Sequence, residues 1–372
     1  MPEIKGWTVT HETSLNYEIS IAEPLIPQHG ELLLSGGPSP GRRFIVCDSG
    51  VPEAWLDTLR GYLAERRIDS DILILDGGEN CKNHETLIRI IHRMDAFGVE
   101  RRNEPVIIIG GGAVMDVAAL AASLYRRGVP YIKVPTTVLS YVDASVGIKA
   151  GINFNQKKNL IGVFQPPQRV LLDRTFFQTL PRREIANALG EVLKLGVGCS
   201  AELFNALESA SAQAVFEDRF QSAGVGILHT AIAVTIEEIE PNILEDDLCR
   251  AVELGHTFSP PWELGDLDHR LRHGEAVALD IMLSVIISRA RGLISDADAR
   301  RVAHLTRRLD IVPTLPDIDV ETIWASVLER TRHRAGQQRI PLPKGIGGVR
   351  FINDLEFGEL EAATVELEKL LA

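Results

Sequence analysis

The chain has 372 residues, 45% of them hydrophobic and 24% charged, enough apolar material for about two packed domains, which excludes wholesale disorder. Acidic residues outnumber basic ones 51 to 39, a net charge of −12. That balance argues against nucleic-acid or anionic-membrane partners, but leaves room for a small basic pocket.

In chain order, Phe44-Ile45-Val46-Cys47 reads as a short buried strand and Trp55 to Arg66 as a helix. Asp71-Ile72-Leu73-Ile74-Leu75 is a second strand, and His84 to Phe97 a helix with Leu87, Ile90, Ile91 and Met94 on one face. Pro105 to Ile109 is a third strand closed by three glycines, Ala113 to Arg127 an Ala-rich helix, and Tyr131 to Pro135 a fourth strand. Continuously apolar strands alternating with helices predict a parallel sheet covered on both faces. After Pro166-Pro167 the period becomes helical over 184–197, 201–211, 223–239, 275–290 and 297–309, with Asp296 placed to cap the last. The reading is an α/β domain over 1–165 and an all-α domain over 166–372, with an irregular tail or small hairpin at 339–351. Cys47, Cys81, Cys199 and Cys249 form no CxxC pair, so a disulfide framework or cysteine zinc site is not expected. No signal-peptide pattern opens the chain, and Asp280 interrupts the most apolar late stretch. The expectation is a cytoplasmic protein.

Four features carry chemistry. Gly110-Gly111-Gly112-Ala113-Val114-Met115-Asp116 joins a strand to a helix; consecutive glycines and a helix N-terminus suit a pyrophosphate, although the run is not the G-x-G-x-x-G fingerprint. Glu79 and Lys82 follow the second strand and Asp48 the first, where an acid can take ribose hydroxyls or simply face water. Asp143, Lys149, Asn153, Lys157, Lys158 and Asn159 gather cationic and amide donors in an acidic chain, matching a phosphorylated sugar or an exposed basic loop. Glu191, with Lys194 one turn later, and the distant His256 and His273 have the composition of an open two-His, one-carboxylate metal site, but their spacing alone cannot show that they meet.

Together these segments resemble the dehydroquinate synthase-like sugar phosphate cyclases. The resemblance runs from about Asp48 to Gly347 and is carried by Gly110-Gly111-Gly112-x-x-x-Asp116, Arg127-Gly128-Val129-Pro130, Pro135-Thr136-Thr137, Val142-Asp143-x-Ser145-Val146-Gly147-x-Lys149, Lys158-Asn159-Leu160-Ile161-Gly162, Glu191-Val192-Leu193-Lys194, Gly255-His256-Thr257-Phe258 and His273-Gly274-Glu275. It implies a Rossmann-like NAD domain, a helical metal-binding domain and an active site in the cleft between them. It implies Glu191, His256 and His273 as ligands to Zn2+ or Co2+. Asp48, Glu79, Lys82, Gly110, Gly111, Gly112, Asp116, Thr136 and Thr137 would then hold NAD, and Asp143, Lys149, Asn153, Lys158, Asn159 and Lys194 would line the substrate and phosphate pocket. A homodimer is implied as well.

The departures narrow the substrate. Dehydroquinate synthases place an Arg seven residues before the metal histidine, an Asn three before it and a second His four after. Here those positions are Cys249, Glu253 and Pro260. Losing the Arg and gaining a Glu is expected to repel a substrate carboxylate, while Glu253 could accept hydrogen bonds from a neutral polyol end. With Ile239 and Pro260 expected at the substrate and His333 in a catalytic proton-transfer role, the pattern is similar to the branch that cyclises sedoheptulose 7-phosphate to 2-epi-5-epi-valiolone. Ile239 and Glu253 stand where that branch is expected to carry Leu and Asp, so the 2-epi-valiolone epimer stays open as product. The next readings are a 3-dehydroquinate synthase and then a metal-dependent alcohol or glycerol dehydrogenase, which would not need the three lysines.

Overall fold

The computed structural model describes residues 7–11, 14–35, 41–155, 157–264, 271–312 and 319–371. Strands β1 (Glu18–Ile21), β2 (Arg42–Asp48), β3 (Asp69–Leu75), β4 (Val106–Gly110), β5 (Tyr131–Pro135) and β8 (Arg169–Leu172) form one six-stranded sheet in the order β1-β8-β5-β4-β2-β3. Every pairing is parallel. A short turn, α1 (Leu25–Gln28), follows β1, and α2 (Glu53–Glu65), α3 (His84–Phe97) and α4 (Gly112–Leu124) connect successive strands. The strands' side chains divide by parity, as a pleat requires. Phe44, Val46, Val106 and Ile108 pack with α3 and α4 on one face. Ile45, Cys47, Ile107 and Ile109 face the other way, into a core continuous with the C-terminal helices.

That second core explains how the halves are held. It runs from Leu25 and Leu59 along that face of the sheet to Leu189 and Leu193 of α5 (Arg182–Gly198) and Ala276 and Val277 of α9 (His273–Ala290). Around these lie α6 (Ala201–Ser209), α7 (Val225–Ile239), α8 (Pro260–Leu264), α10 (Asp296–Arg308), α11 (Val320–His333) and α12 (Phe357–Leu371). Phe176, Phe177, Phe204, Phe220 and Phe258 are all buried in it.

Several expectations change. The boundary at 165 falls before β8, which pairs with both β1 and β5; the sheet carries the α/β unit through Leu172. The polar run 142–159 is not a loop: a π-helical turn (Ser140–Ala144) leads into an antiparallel hairpin, β6 (Lys149–Phe154) with β7 (Lys157–Phe164). Its alternating polar residues disguise a pair whose ladder needs no apolar stripe on the cleft side. Ser295, not Asp296, caps α10, accepting the Asp298 N–H at 3.1 Å. The tail at 339–351 contains an antiparallel hairpin, β9 (Ile340–Pro343) with β10 (Val349–Ile352). β1, β8, α11 and α12 had no counterpart in the sequence reading. All four cysteines are free thiols. No helix among the described residues is long and apolar enough to cross a membrane.

Candidate active site

The carboxyl ends of the parallel strands, the β6–β7 hairpin and the helical domain enclose a cleft of about 1410 Å³. That exceeds what one drug-sized ligand fills and suits a dinucleotide beside a second small molecule. Gly111, Gly112, Asp48, Glu79, Lys82, Asp116, Thr136 and Thr137 line one end; Asp143, Lys149, Lys158, Asn159, Lys194, Ile239, Glu253, His256 and His273 line the other.

The first end is built at strand termini. Asp48 closes β2, and its Oδ1 accepts the Gly50 N–H at 2.9 Å. A Cβ at Gly77 would lie 2.5 Å from the Asp48 carboxylate, so only glycine allows that approach. Gly110 ends β4 inside the core, while Gly111 and Gly112 open α4 without side chains of their own, and Asp48 Oδ2 accepts the Gly111 N–H at 3.5 Å. A glycine-lined helix N-terminus of this kind is suited to a pyrophosphate. Lys82 is buried and donates to Asp116 at 2.7 Å and to Asn159 at 2.5 Å. Asn153 stands behind this group: it donates to Glu79 at 2.7 Å and accepts the Asn159 N–H at 2.9 Å. Beneath, the fully buried Lys133 ammonium donates to the carbonyls of Ala144 and Gly147 at 2.8 and 3.0 Å, fixing the turn that carries Asp143. Burial pushes the Lys133 ammonium down to about 8.

The second end brings together the three residues whose spacing said nothing of convergence. One donor atom each of Glu191, His256 and His273 fall within 4.8 Å of one another. Nε2 of His273 lies 3.1 Å, and Nε2 of His256 3.6 Å, from Glu191 Oε1. Both oxygens of the buried Glu191 carboxylate lack a properly directed hydrogen bond, although Lys194 and the two imidazoles flank it. An orphaned buried carboxylate facing two ring nitrogens is what a divalent cation would satisfy. The rings' other nitrogens are occupied: His273 Nδ1 donates to Glu263 Oε2 at 2.9 Å and His256 Nδ1 to the Leu254 carbonyl at 3.1 Å. These contacts leave both Nε2 atoms to serve as ligands.

Backbone proximity makes the convergence. A Cβ on Gly190 would lie 2.0 Å from the Gly274 carbonyl oxygen, and one on Gly274 would lie 1.7 Å from that of Asn187. With no Cβ at either position, α5 and α9 touch backbone to backbone, one residue from Glu191 and from His273. Polar contacts fix the register: Gly274 N–H donates to Asn187 Oδ1 at 2.7 Å, and Arg183 grips Glu275 through two bonds of 2.6 and 2.8 Å. The His256 loop is held by a residue that reads in sequence only as a break in an apolar run. The buried Asp280 accepts the N–H groups of Phe258 and of Ser259, the latter at 3.0 Å.

The electrostatics follow. Burial lowers His256 to about 4 against the pull of Glu191, so its ring is neutral at pH 7. Burial opposes the charge on His273 too, but Glu263 and Glu191 outweigh it and push it up to about 10. Burial would raise Glu263, yet His273 and Lys158 hold it at about 2. Asp143 is raised, first by burial and then by Glu191. A sign follows for metal binding. Below pH 10, His273 must lose its proton to become a ligand, whereas His256 has none to lose above pH 4. We therefore expect metal loading to release about one proton, and affinity to fall about tenfold per unit as pH is lowered from neutrality. Calorimetry in buffers of different ionisation enthalpy checks this; a proton count near zero would contradict it.

Other placements differ from the sequence reading. The lysines are not free cations. Lys158 pairs with Glu263 at 2.5 Å, Lys149 with Glu245 at 2.5 Å, and Lys194 with Glu191. Glu253 is not an open acceptor: Arg250 bonds one of its oxygens, and Arg330 and Arg334 lie 3.0 Å from the other. Burial would raise its carboxyl, but Arg330 and Arg250 hold it well below the usual range. The expected electrostatic repulsion of a carboxylate by Glu253 is therefore cancelled. His333 is exposed and outside the cleft, because α11 and its C-cap turn Arg330 and Arg334 toward Glu253 instead. Pro260 opens α8 without lining the cleft. Glu263, Asp280, Arg250 and Arg330 were missed in sequence, where isolated charges in helices and turns look like solvated faces.

The 3-dehydroquinate synthase N-terminal family matches residues 72–187, and the 3-dehydroquinate synthase C-terminal family matches residues 188–332. A 2-epi-5-epi-valiolone synthase of Streptomyces albus is 40% identical over 98% of this chain and 91% of its own length. One from an Actinoplanes species is 41% identical over 98% and 94%. The solved 2-epi-5-epi-valiolone synthase of Streptomyces hygroscopicus subsp. jinggangensis, with NAD+ and Zn2+ bound, superposes with a TM-score of 0.92 at 37% identity, covering 98% of this chain and 99% of that one. The chain belongs to the dehydroquinate synthase-like family of sugar phosphate cyclases.

Proposed function

We propose that this enzyme converts sedoheptulose 7-phosphate to 2-epi-5-epi-valiolone with elimination of phosphate. NAD would be held at the glycine end of the cleft, and Zn2+ or Co2+ by Glu191, His256 and His273. The observation that carries the reading is the meeting of those three side chains in the same cleft as the Gly111–Gly112 cradle and the hairpin lysines. The full-length likeness to valiolone synthases supports the choice of substrate.

When bound, NAD supplies a hydride acceptor that returns the hydride later, and the divalent cation supplies a Lewis acid at the sugar oxygens. The chain's own residues do the rest. Lys158, Lys149 and Asn159 line the hairpin side and are suited to a phosphate dianion, which would compete with Glu263 and Glu245 for the ammonium groups. Lys194 keeps Glu191 ionised from one turn away. Asp143, with its raised proton affinity, is the carboxyl suited to take a substrate hydroxyl proton. At the far end, both Nη groups of Arg250 are committed to Glu245 and Glu253. The buried Nε has no partner. With its charge already shared between two carboxylates, Arg250 is a weaker partner for a third carboxylate than an unpaired Arg would be. The enzyme is taken to work as a cytoplasmic homodimer.

The test is incubation with NAD+ and Zn2+ and either sedoheptulose 7-phosphate or 3-deoxy-arabino-heptulosonate 7-phosphate, followed by phosphate analysis and product NMR. Phosphate release from the first sugar alone is expected, with NMR showing 2-epi-5-epi-valiolone. Release from the carboxylated sugar would make Arg250 a carboxylate binder after all and overturn the substrate assignment.

A further inference from the structure

The Glu263 carboxylate is buried on α8 and spans two parts of the cleft with different tasks. Its Oε2 accepts Lys158 Nζ at 2.5 Å and His273 Nδ1 at 2.9 Å. Lys158 stands on β7 of the α/β unit, and His273 opens α9 of the helical unit. One oxygen thus serves a hairpin ammonium on one side and the back of a metal-ligand ring on the other. Lys158 has a second anionic neighbour, Glu79 at 3.7 Å, so its charge is shared rather than committed.

We propose that Glu263 couples anion binding at Lys158 to metal affinity at Glu191, His256 and His273. The inference rests on the proposed placing of the substrate phosphate at Lys158. A phosphate there draws the ammonium charge away from Glu263 Oε2. The Nδ1–H of His273 then faces a carboxylate oxygen that it no longer shares, and the hydrogen bond between them strengthens. A stronger acceptor behind a ligand imidazole makes its other nitrogen a better donor to a cation. The sign is positive: phosphate tightens metal binding. By linkage the metal tightens phosphate binding by the same factor. Glu263 is a positioning residue in this scheme, acting through His273 without touching the metal.

The test measures Co2+ affinity by chelator competition, with and without inorganic phosphate, in the full-length protein. In the wild type, phosphate is expected to tighten Co2+ binding by about fivefold or more. In Glu263→Gln the phosphate effect should shrink to less than about twofold, whatever the variant's absolute Co2+ affinity. Lys158→Met keeps Glu263 and His273 in place, should still bind Co2+, and should lose the phosphate effect; it carries the test alone if Glu263→Gln does not fold. A full phosphate effect in either variant, or none in the wild type, overturns the proposal. If phosphate tightens Co2+ in this residue-dependent way while sedoheptulose 7-phosphate is not turned over, the coupling stands and the substrate assignment falls.

Discussion

Gly274→Ala should abolish metal binding and destabilise the fold by about 3 kcal/mol, the upper end of what overpacking costs. The added methyl would sit 1.7 Å from the Asn187 carbonyl oxygen, and what it meets there is backbone of α5, not the yielding end of a side chain. Relief requires α5 and α9 to separate. Separation breaks the Gly274–Asn187 hydrogen bond and carries His273 away from Glu191, now 3.1 Å apart. Urea unfolding and metal analysis of the purified variant check both parts. A variant that unfolds like the wild type and binds about one metal per chain would mean that the glycine contact does not set the site.

Glu191→Gln carries the second large effect. The amide has nearly the same shape, so packing around α5 is kept and only charge is lost. The buried Lys194 then loses its closest carboxylate and is left with Asp143 as its next acidic neighbour. Breaking a buried pair from one side costs about 3–5 kcal/mol, because the remaining charge is left uncompensated. The metal loses its one anionic ligand at the same time. Metal content should fall from about one per chain towards zero, activity should fall with it, and the urea midpoint should drop. Retention of both metal and stability would remove Glu191 from the centre of the account.

The α/β half was readable because its strands are uniformly apolar and its helices carry a clean period; α3 lies at 84–97, where the spacing predicts it. The short edge strand β1 and its neighbour β8, with the sequences EISI and RVLL, are too brief for any period to show. The β6–β7 hairpin escaped because its residues serve a cleft, and polar residues facing a cleft look like a loop. The metal ligands were nameable only through resemblance, since 65 and 82 residues separate His256 and His273 from Glu191. The physical reason they meet, two glycines letting α5 and α9 touch, is invisible until the helices are paired. Glu253 shows the opposite limit. A carboxylate replacing an amide reads as negative charge in the pocket, yet Arg250, three residues before it, and Arg330 and Arg334, from far along the chain, neutralise it.

The most direct measurement of the central claim follows phosphate and absorbance at 340 nm together while the purified protein, loaded with NAD+ and Zn2+, turns over sedoheptulose 7-phosphate. The cyclase account predicts many phosphates released per chain with no net accumulation of NADH, because the hydride taken is returned within each cycle. NADH rising steadily without phosphate release would contradict it and make the enzyme a dehydrogenase.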